Sequence, residues 1–102
     1  MKAQFRITTY KGTINRYYDF SILHPTPDGH FDSFRITLDK ENSLAVGLLT
    51  IMSEEKIIPC IEFYQKEDEG FEGTVNDIKI IALEATMHKL IFDFKGESTD
   101  WI

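Results

Sequence analysis

Apolar and polar residues alternate along residues 2–10, the pattern that is typical of a half-buried β-strand. A short turn at Gly12 follows, and residues 14–24 predict a second strand. Proline, aspartate and glycine at residues 27–29 predict a tight turn, after which alternation returns at residues 31–38. Three strands joined by two turns predict an antiparallel meander at the N-terminus.

Two later segments fit both a helix and a strand. Residues 41–54 place apolar side chains at helical spacing, and Asp39 or Asn42 could cap such a helix. Gly47 disfavours a helix interior, so a hairpin is the competing interpretation. Residues 75–88 follow a sequence that resembles a capping box, whereas their β-branched residues favour a strand. Both segments stay open at the level of the sequence.

Two further strands are predicted in the second half of the chain. Residues 57–65 are rich in β-branched and aromatic residues, and Pro59, which cannot donate to a ladder, favours a sheet edge or the beginning of the strand. Residues 89–95 alternate regularly and end at Gly96. The order of elements predicts an α+β fold, mainly antiparallel β-sheet, with one or two helices. The length of 102 residues fits a single domain over residues 1–102.

The chain carries a net charge of −6, and its acidity is concentrated in the second half. Residues 1–51 hold six Lys or Arg against five Asp or Glu, a net charge of +1. Residues 52–102 hold five against twelve, a net charge of −7. Nucleic acid is normally bound by a basic face, so the composition argues against a nucleic-acid partner. It favours a protein partner with a basic surface.

The cellular compartment and the oligomeric state are indicated by weaker features of the sequence. The sequence has no run of about eighteen apolar residues, so we expect no membrane partner. The N-terminal residues lack the apolar stretch of a signal peptide, and the single cysteine, Cys60, can form no intramolecular disulfide. We therefore expect a cytoplasmic protein that is a monomer or a small homo-oligomer. The apolar neighbours of Cys60 predict a buried, unreactive thiol.

Candidate chemistry is sparse. His24, Asp28, His30 and Asp32 cluster around the proline-containing turn, and imidazoles with carboxylates are a possible set of ligands for a divalent metal. Their spacing fits no zinc or calcium loop, so the simpler interpretation is a turn with exposed histidines. No nucleophile elbow, dinucleotide fingerprint or phosphate-binding loop is present. We therefore expect no enzymatic activity, no cofactor and no bound metal.

The sharpest functional feature is an acidic, glycine-containing segment at residues 66–73, which we predict to be a loop. Phe71 lies among the acidic residues between positions 62 and 77 and either folds back onto the sheet or, with Tyr64, anchors a partner inside a ring of carboxylates. Trp101 is a second candidate anchor. The predicted partner-binding residues are Glu62, Tyr64, Glu67, Asp68, Glu69, Phe71, Glu72 and Asp77.

These observations predict a small acidic protein that binds another protein. In the most concrete version it is an inhibitor or immunity protein that neutralises a bacterial toxin by occluding a basic active-site groove. An alternative is a structural or assembly subunit, as in a phage or a secretion apparatus, that pairs through an edge strand at residues 57–65. A third is a small metal-binding enzyme or sensor built on the histidine cluster.

Overall fold

The computed structural model describes residues 2–9, 12–14, 17–64 and 71–102. Within these residues the chain forms one helix and nine strands. They are, in chain order, β1 (Lys2–Thr9), β2 (Gly12–Ile14), β3 (Tyr17–Asp19), β4 (Ser21–Leu23), β5 (Ser33–Asp39), α1 (Ser43–Ser53), β6 (Ile58–Tyr64), β7 (Phe71–Ala85), β8 (Lys89–Lys95) and β9 (Ser98–Trp101). Among the described residues, no helix is long and apolar enough to cross a membrane.

All strands belong to one antiparallel sheet with the order β2-β1-β6-β7-β8-β5-β4. Strand β3 also pairs with β1, and β9 also pairs with β7. Only Phe20 separates β3 from β4, and β4 pairs with β5. The short segment from β3 to β4 therefore connects the two ends of the sheet, which is nearly closed and barrel-like. This confirms the mainly antiparallel sheet, although the single strand predicted at residues 14–24 is divided.

Helix α1 settles the first ambiguous segment as a helix. The side chain of Asn42 accepts a hydrogen bond from the backbone N–H of Leu44 at 2.9 Å, which satisfies one of the unpaired donors of the first turn. Leu44, Ala45 and Leu48 are buried and attach the helix to the core. Of the two predicted caps, Asn42 is the one used.

Replacing Asn42 with alanine is expected to lower the free energy of unfolding by about 1 kcal/mol, because the N–H of Leu44 loses its acceptor. Asn42→Asp keeps an acceptor at the same place and should stay within about 0.5 kcal/mol of the wild type. Urea unfolding followed by circular dichroism measures both. Equal losses in the two variants would show that the cap does not stabilise α1.

The second ambiguous segment is a strand, so the described chain has one helix rather than two. Strand β7 pairs with β6 over its first half and with β8 over its second half. Each half of β7 is therefore paired along at least one edge, and Ile78 is fully buried between the two ladders. Tertiary pairing thus overrides the capping-box pattern. Within β7, Asp77 has a φ of +53°, an irregularity that lies where β7 changes partners.

Of the two interpretations of residues 57–65, the sheet edge is wrong and the beginning of a strand at Pro59 is confirmed. Strand β6 begins at Ile58, lies between β1 and β7 and pairs with both. The register Ile58↔Ile78 and Cys60↔Asn76 places Pro59 opposite Asp77, at the irregular point of β7. The missing N–H of the proline therefore falls where the ladder is already interrupted, which explains how a proline fits an inner strand.

The core is dominated by aromatic side chains. Phe63 lies among Phe20, Phe31 and Phe34, with ring centroids 4.8, 4.9 and 5.1 Å away, all near edge-to-face. Phe34 in turn stacks on Phe94 at 4.9 Å. Every second residue of β8 is buried, as the alternating pattern predicts, so the strand at residues 89–95 is confirmed. The opposite side of the sheet faces solvent and holds the candidate site.

Candidate protein-binding face

One line of directly opposed residues crosses five strands of the sheet. The registers pair Gln4 with both Tyr17 and Glu62, Glu62 with Thr74, and Thr74 with Asp100. Opposed residues of a ladder share a face, and neighbouring strands lie about 4.8 Å apart. We call these five residues the polar row. It runs across β3, β1, β6, β7 and β9 on the solvent side, here called the outer face.

Glu62 lies at the centre of the polar row and is held by an aromatic pair. The hydroxyl of Tyr64 donates to Oε2 of Glu62 at 2.5 Å. The ring of Tyr17 meets that of Tyr64 edge-to-face, with centroids 5.9 Å apart. The hydrogen bond from Tyr64 fixes the position of the Glu62 carboxylate, which therefore lies beside two tyrosines.

A second carboxylate lies at the end of the polar row. Asp100 is exposed, and its Oδ2 accepts a hydrogen bond from Nδ2 of Asn76 at 3.3 Å. Lys2 also points to the outer face, in the adjacent line, opposite Asp19 and Tyr64. The outer face thus carries carboxylates at its centre and end, with a lysine to one side.

Glu72 and Asp77, two further predicted binding residues, differ in their distance from the polar row. Glu72 lies at the β-bulge between Phe63 and Tyr64, and its carbonyl accepts the backbone N–H of Ile102 at 2.9 Å. Asp77 is exposed, but it lies three residues along β7 from Thr74, roughly 10 Å away. The structure therefore places Glu62, Tyr64 and Glu72 together and leaves Asp77 at the corner of β7.

The rest of the predicted acidic loop is only partly covered. Glu67, Asp68 and Glu69 lie outside the described residues. The prediction that the loop extends through residue 73 is wrong, because β7 begins at Phe71 and pairs there with Tyr64. The side chain of Phe71 lies outside the described part of the chain, so its role as an anchor stays a prediction.

The histidine cluster forms a local turn. Nδ1 of His30 lies 3.2 Å from Oδ2 of Asp28, and the Thr26 hydroxyl also donates to Asp28. The Thr26 hydroxyl, followed by the backbone N–H of His30, holds the pKa of Asp28 below its ordinary value. Asp32 accepts from the Ser33 hydroxyl at 3.1 Å instead. Among the described residues no group of three His, Cys, Asp or Glu side chains could hold a metal ion.

Trp101 belongs to the protein's own core margin rather than to the outer face. It lies directly opposite Gly73, and its ring contacts Phe31 at 4.7 Å and stacks on His30 at 5.3 Å. Its Nε1 is buried, with no acceptor in the described part of the chain. The interpretation of Trp101 as a partner anchor therefore loses its basis, and packing accounts for this side chain.

Cys60 is half-buried rather than fully buried, because the register puts it on the outer face. It lies opposite Asn76 of β7, and its strand neighbour Ile61 takes the position in the core. The run of apolar residues around Cys60 concealed this alternation, since Pro59 and Ile58 suggested a continuous apolar environment.

Sequence reasoning missed Gln4, Tyr17, Thr74 and Asp100 as parts of the site. The alternation in β1 does place Gln4 on the polar side of its strand, but the pairing of β1 with β6 has no local signal. No family model, curated protein or solved structure is similar enough to this chain to place it in a family. The geometry of the outer face therefore carries the functional argument alone.

Proposed function

We propose that this chain is a protein-binding protein whose outer face binds a basic partner. In its most concrete form it is an inhibitor or immunity protein that neutralises a bacterial toxin by covering a basic active-site groove. The supporting observation is the polar row, in which Glu62 and Asp100 lie on one face of a hydrogen-bonded sheet. Fixed carboxylates of this kind accelerate encounter with a basic surface and disfavour acidic ones.

The two tyrosines supply the contact area that charge alone does not. Tyr17 is 41% exposed, and its ring lies against Tyr64 beside the central carboxylate. Tyrosine is enriched at protein interfaces because it combines a large apolar ring with a polar end and few rotatable bonds. An aromatic pair flanked by carboxylates suits a basic groove with an apolar floor, and occlusion of such a groove requires no catalytic residue.

The residues that flank the acidic segment in the sequence lie at this face. Strand β6 ends at Tyr64 and β7 begins at Phe71, and these two residues are paired. We therefore include Glu67, Asp68 and Glu69, with Glu72, in the proposed surface. We place the protein in the cytoplasm, since a sequence with one cysteine suits a reducing compartment.

The proposal is tested by association kinetics. Wild-type protein is used to capture its partner from the source cells, the partner is identified by mass spectrometry, and the binding of purified components is measured at low and high salt. Glu62→Gln combined with Asp100→Asn should slow association about three- to tenfold and flatten its salt dependence, with a smaller effect on dissociation.

The matched control is Glu41→Gln combined with Glu54→Gln, which removes the same charge from exposed positions flanking α1. This variant should associate at close to the wild-type rate. If the two double variants slow association equally, only the net charge matters and the outer face is not the binding surface.

A further inference from the structure

The second half of β7 has an unpaired edge. One edge of residues 79–85 pairs with β8. On the other edge, β6 begins at Ile58, opposite Ile78, so beyond that point no described strand continues the ladder. We call this side of residues 79–85 the open edge. Unpaired N–H and C=O groups along a strand are a template for a further strand.

A groove of about 680 Å³ lies beside the open edge. Ile51 and Met52, from the end of α1, form one side, and β7 residues that include Ile81 and Leu83 form the other. The groove is wide enough for side chains, and the edge beside it can bind a backbone. The combination fits an added strand, whose alternate side chains would enter the groove.

Exposed apolar residues are concentrated at this place. The described part of the chain has seven large hydrophobic residues that are exposed, and four of them are on or next to the open edge. Ile57 is 48% exposed, Ile81 58%, Leu83 36% and Met87 82%. Single exposed apolar residues are ordinary, but a cluster beside an unpaired strand edge is typical of an interaction site.

We propose that a second copy of this chain pairs with the open edge, antiparallel, about a two-fold axis at Ala82. Ile81 is the extra residue of the bulge in β7, so in this register Ile80 of each copy falls opposite Leu83 of the other. The paired segments span seven residues, roughly 23 Å. Aliphatic pairs across two strands stabilise the ladder, and the isologous contact closes at a dimer.

The charges of the open edge favour a second copy in this orientation. Lys79 and Glu84 are both on the outer side of β7, because the bulge between Ile80 and Ala82 shifts the alternation by one residue. The antiparallel arrangement therefore places Lys79 of each copy opposite Glu84 of the other. A parallel arrangement would oppose like charges. The segment is also electrically neutral, so it escapes the repulsion that a net charge of −6 imposes elsewhere.

Equilibrium sedimentation over a concentration series tests the proposal. The wild type should reach twice the chain mass of 11.8 kDa. Lys79→Glu alone and Glu84→Lys alone should each weaken the dimer by about tenfold or more, because each places like charges in opposition. Lys79→Glu combined with Glu84→Lys should restore it, and an equimolar mixture of the two single variants should form a heterodimer.

Thermal unfolding separates the interface from the fold. Within one chain Lys79 lies opposite Lys95, so Lys79→Glu replaces a like-charged pair and should not lower the unfolding temperature at low concentration, where monomer dominates. Glu84 has a same-chain neighbour, since the pKa of Arg35 is raised mainly by Asp93 and further by Glu84. For position 84, the decisive measurements are therefore the dimerisation of the double variant and of the mixture of the two single variants.

A wild type that stays monomeric at its highest soluble concentration would overturn the proposal. Unchanged dimerisation of both single variants would also overturn it, as would a species that grows beyond the dimer or that needs an unrelated polypeptide. The proposal is independent of the proposed function, because Glu62 and Asp100 lie on other strands.

Discussion

Replacing Phe63 with alanine is expected to lower the free energy of unfolding by about 4 kcal/mol. Phe63 is fully buried and its ring contacts Phe20, Phe31 and Phe34 within about 5 Å, with Trp101 at 5.9 Å. Truncation removes the ring and leaves a cavity that the rigid sheet closes only in part. Urea unfolding at one temperature measures the loss.

The matched control for Phe63 is Tyr17, an aromatic residue of the same sheet that points to the outer face. Tyr17→Ala should cost less than about 1 kcal/mol, since this side chain is 41% exposed. A similar loss in the two variants would mean that the aromatic cluster around Phe63 is not the core of the fold.

Replacing Gly73 with alanine is expected to cost about 3 kcal/mol. Gly73 lies directly opposite Trp101, and a Cβ there would overlap the indole ring and come 2.7 Å from the carbonyl oxygen of Asp100. The backbone oxygen is fixed in the ladder, so the indole must leave its place on Phe31. Because Trp101 is the only tryptophan, its fluorescence should shift to longer wavelength as it becomes hydrated.

Gly47 supplies the control for Gly73. It lies inside α1, and an added Cβ would meet nothing within 4 Å. Gly47→Ala should therefore stabilise the protein by about 0.5–1 kcal/mol through the helix propensity of alanine. Opposite signs for the two glycines are the expected result. An unchanged tryptophan spectrum in Gly73→Ala would contradict the packing described for Trp101.

Local patterns in the sequence were sufficient for several elements. Alternation predicted the strand at residues 89–95. Asparagine is preferred at helix starts, and Asn42 was one of the two residues predicted to cap the helix. These features depend on residues close together in the chain, where side-chain periodicity and capping act directly.

The features that could not be predicted from the sequence depend on pairing between strands that are far apart in the chain. Gln4 and Asp100 lie in one row although they come from opposite ends of the chain, because β6 and β7 lie between their strands. Pro59 indicated an edge or the beginning of a strand, and the irregular φ of Asp77 on the neighbouring strand lets it lie at the beginning of an inner strand. Gly73 suggested a loop, whereas it is a strand residue that leaves room for an indole ring.

The open edge of β7 also results from long-range strand pairing. The sequence favoured residues 57–65 as an edge, but that strand is covered on both sides. Among the described residues, an unpaired edge lies instead along residues 79–85, because β7 is longer than the strand beside it. Strand length and register together create this edge, and neither can be read from periodicity in a single segment.

The central claim, that the outer face contacts a protein partner, is tested most directly by photo-crosslinking. A benzoyl-phenylalanine residue is placed at position 17, on the outer face, and in a separate variant at position 46, where Val46 of α1 is 60% exposed. Each variant is irradiated in complex with the purified partner. We expect a covalent adduct with the partner from position 17 and none from position 46. An adduct from position 46 with none from position 17 would contradict the central claim.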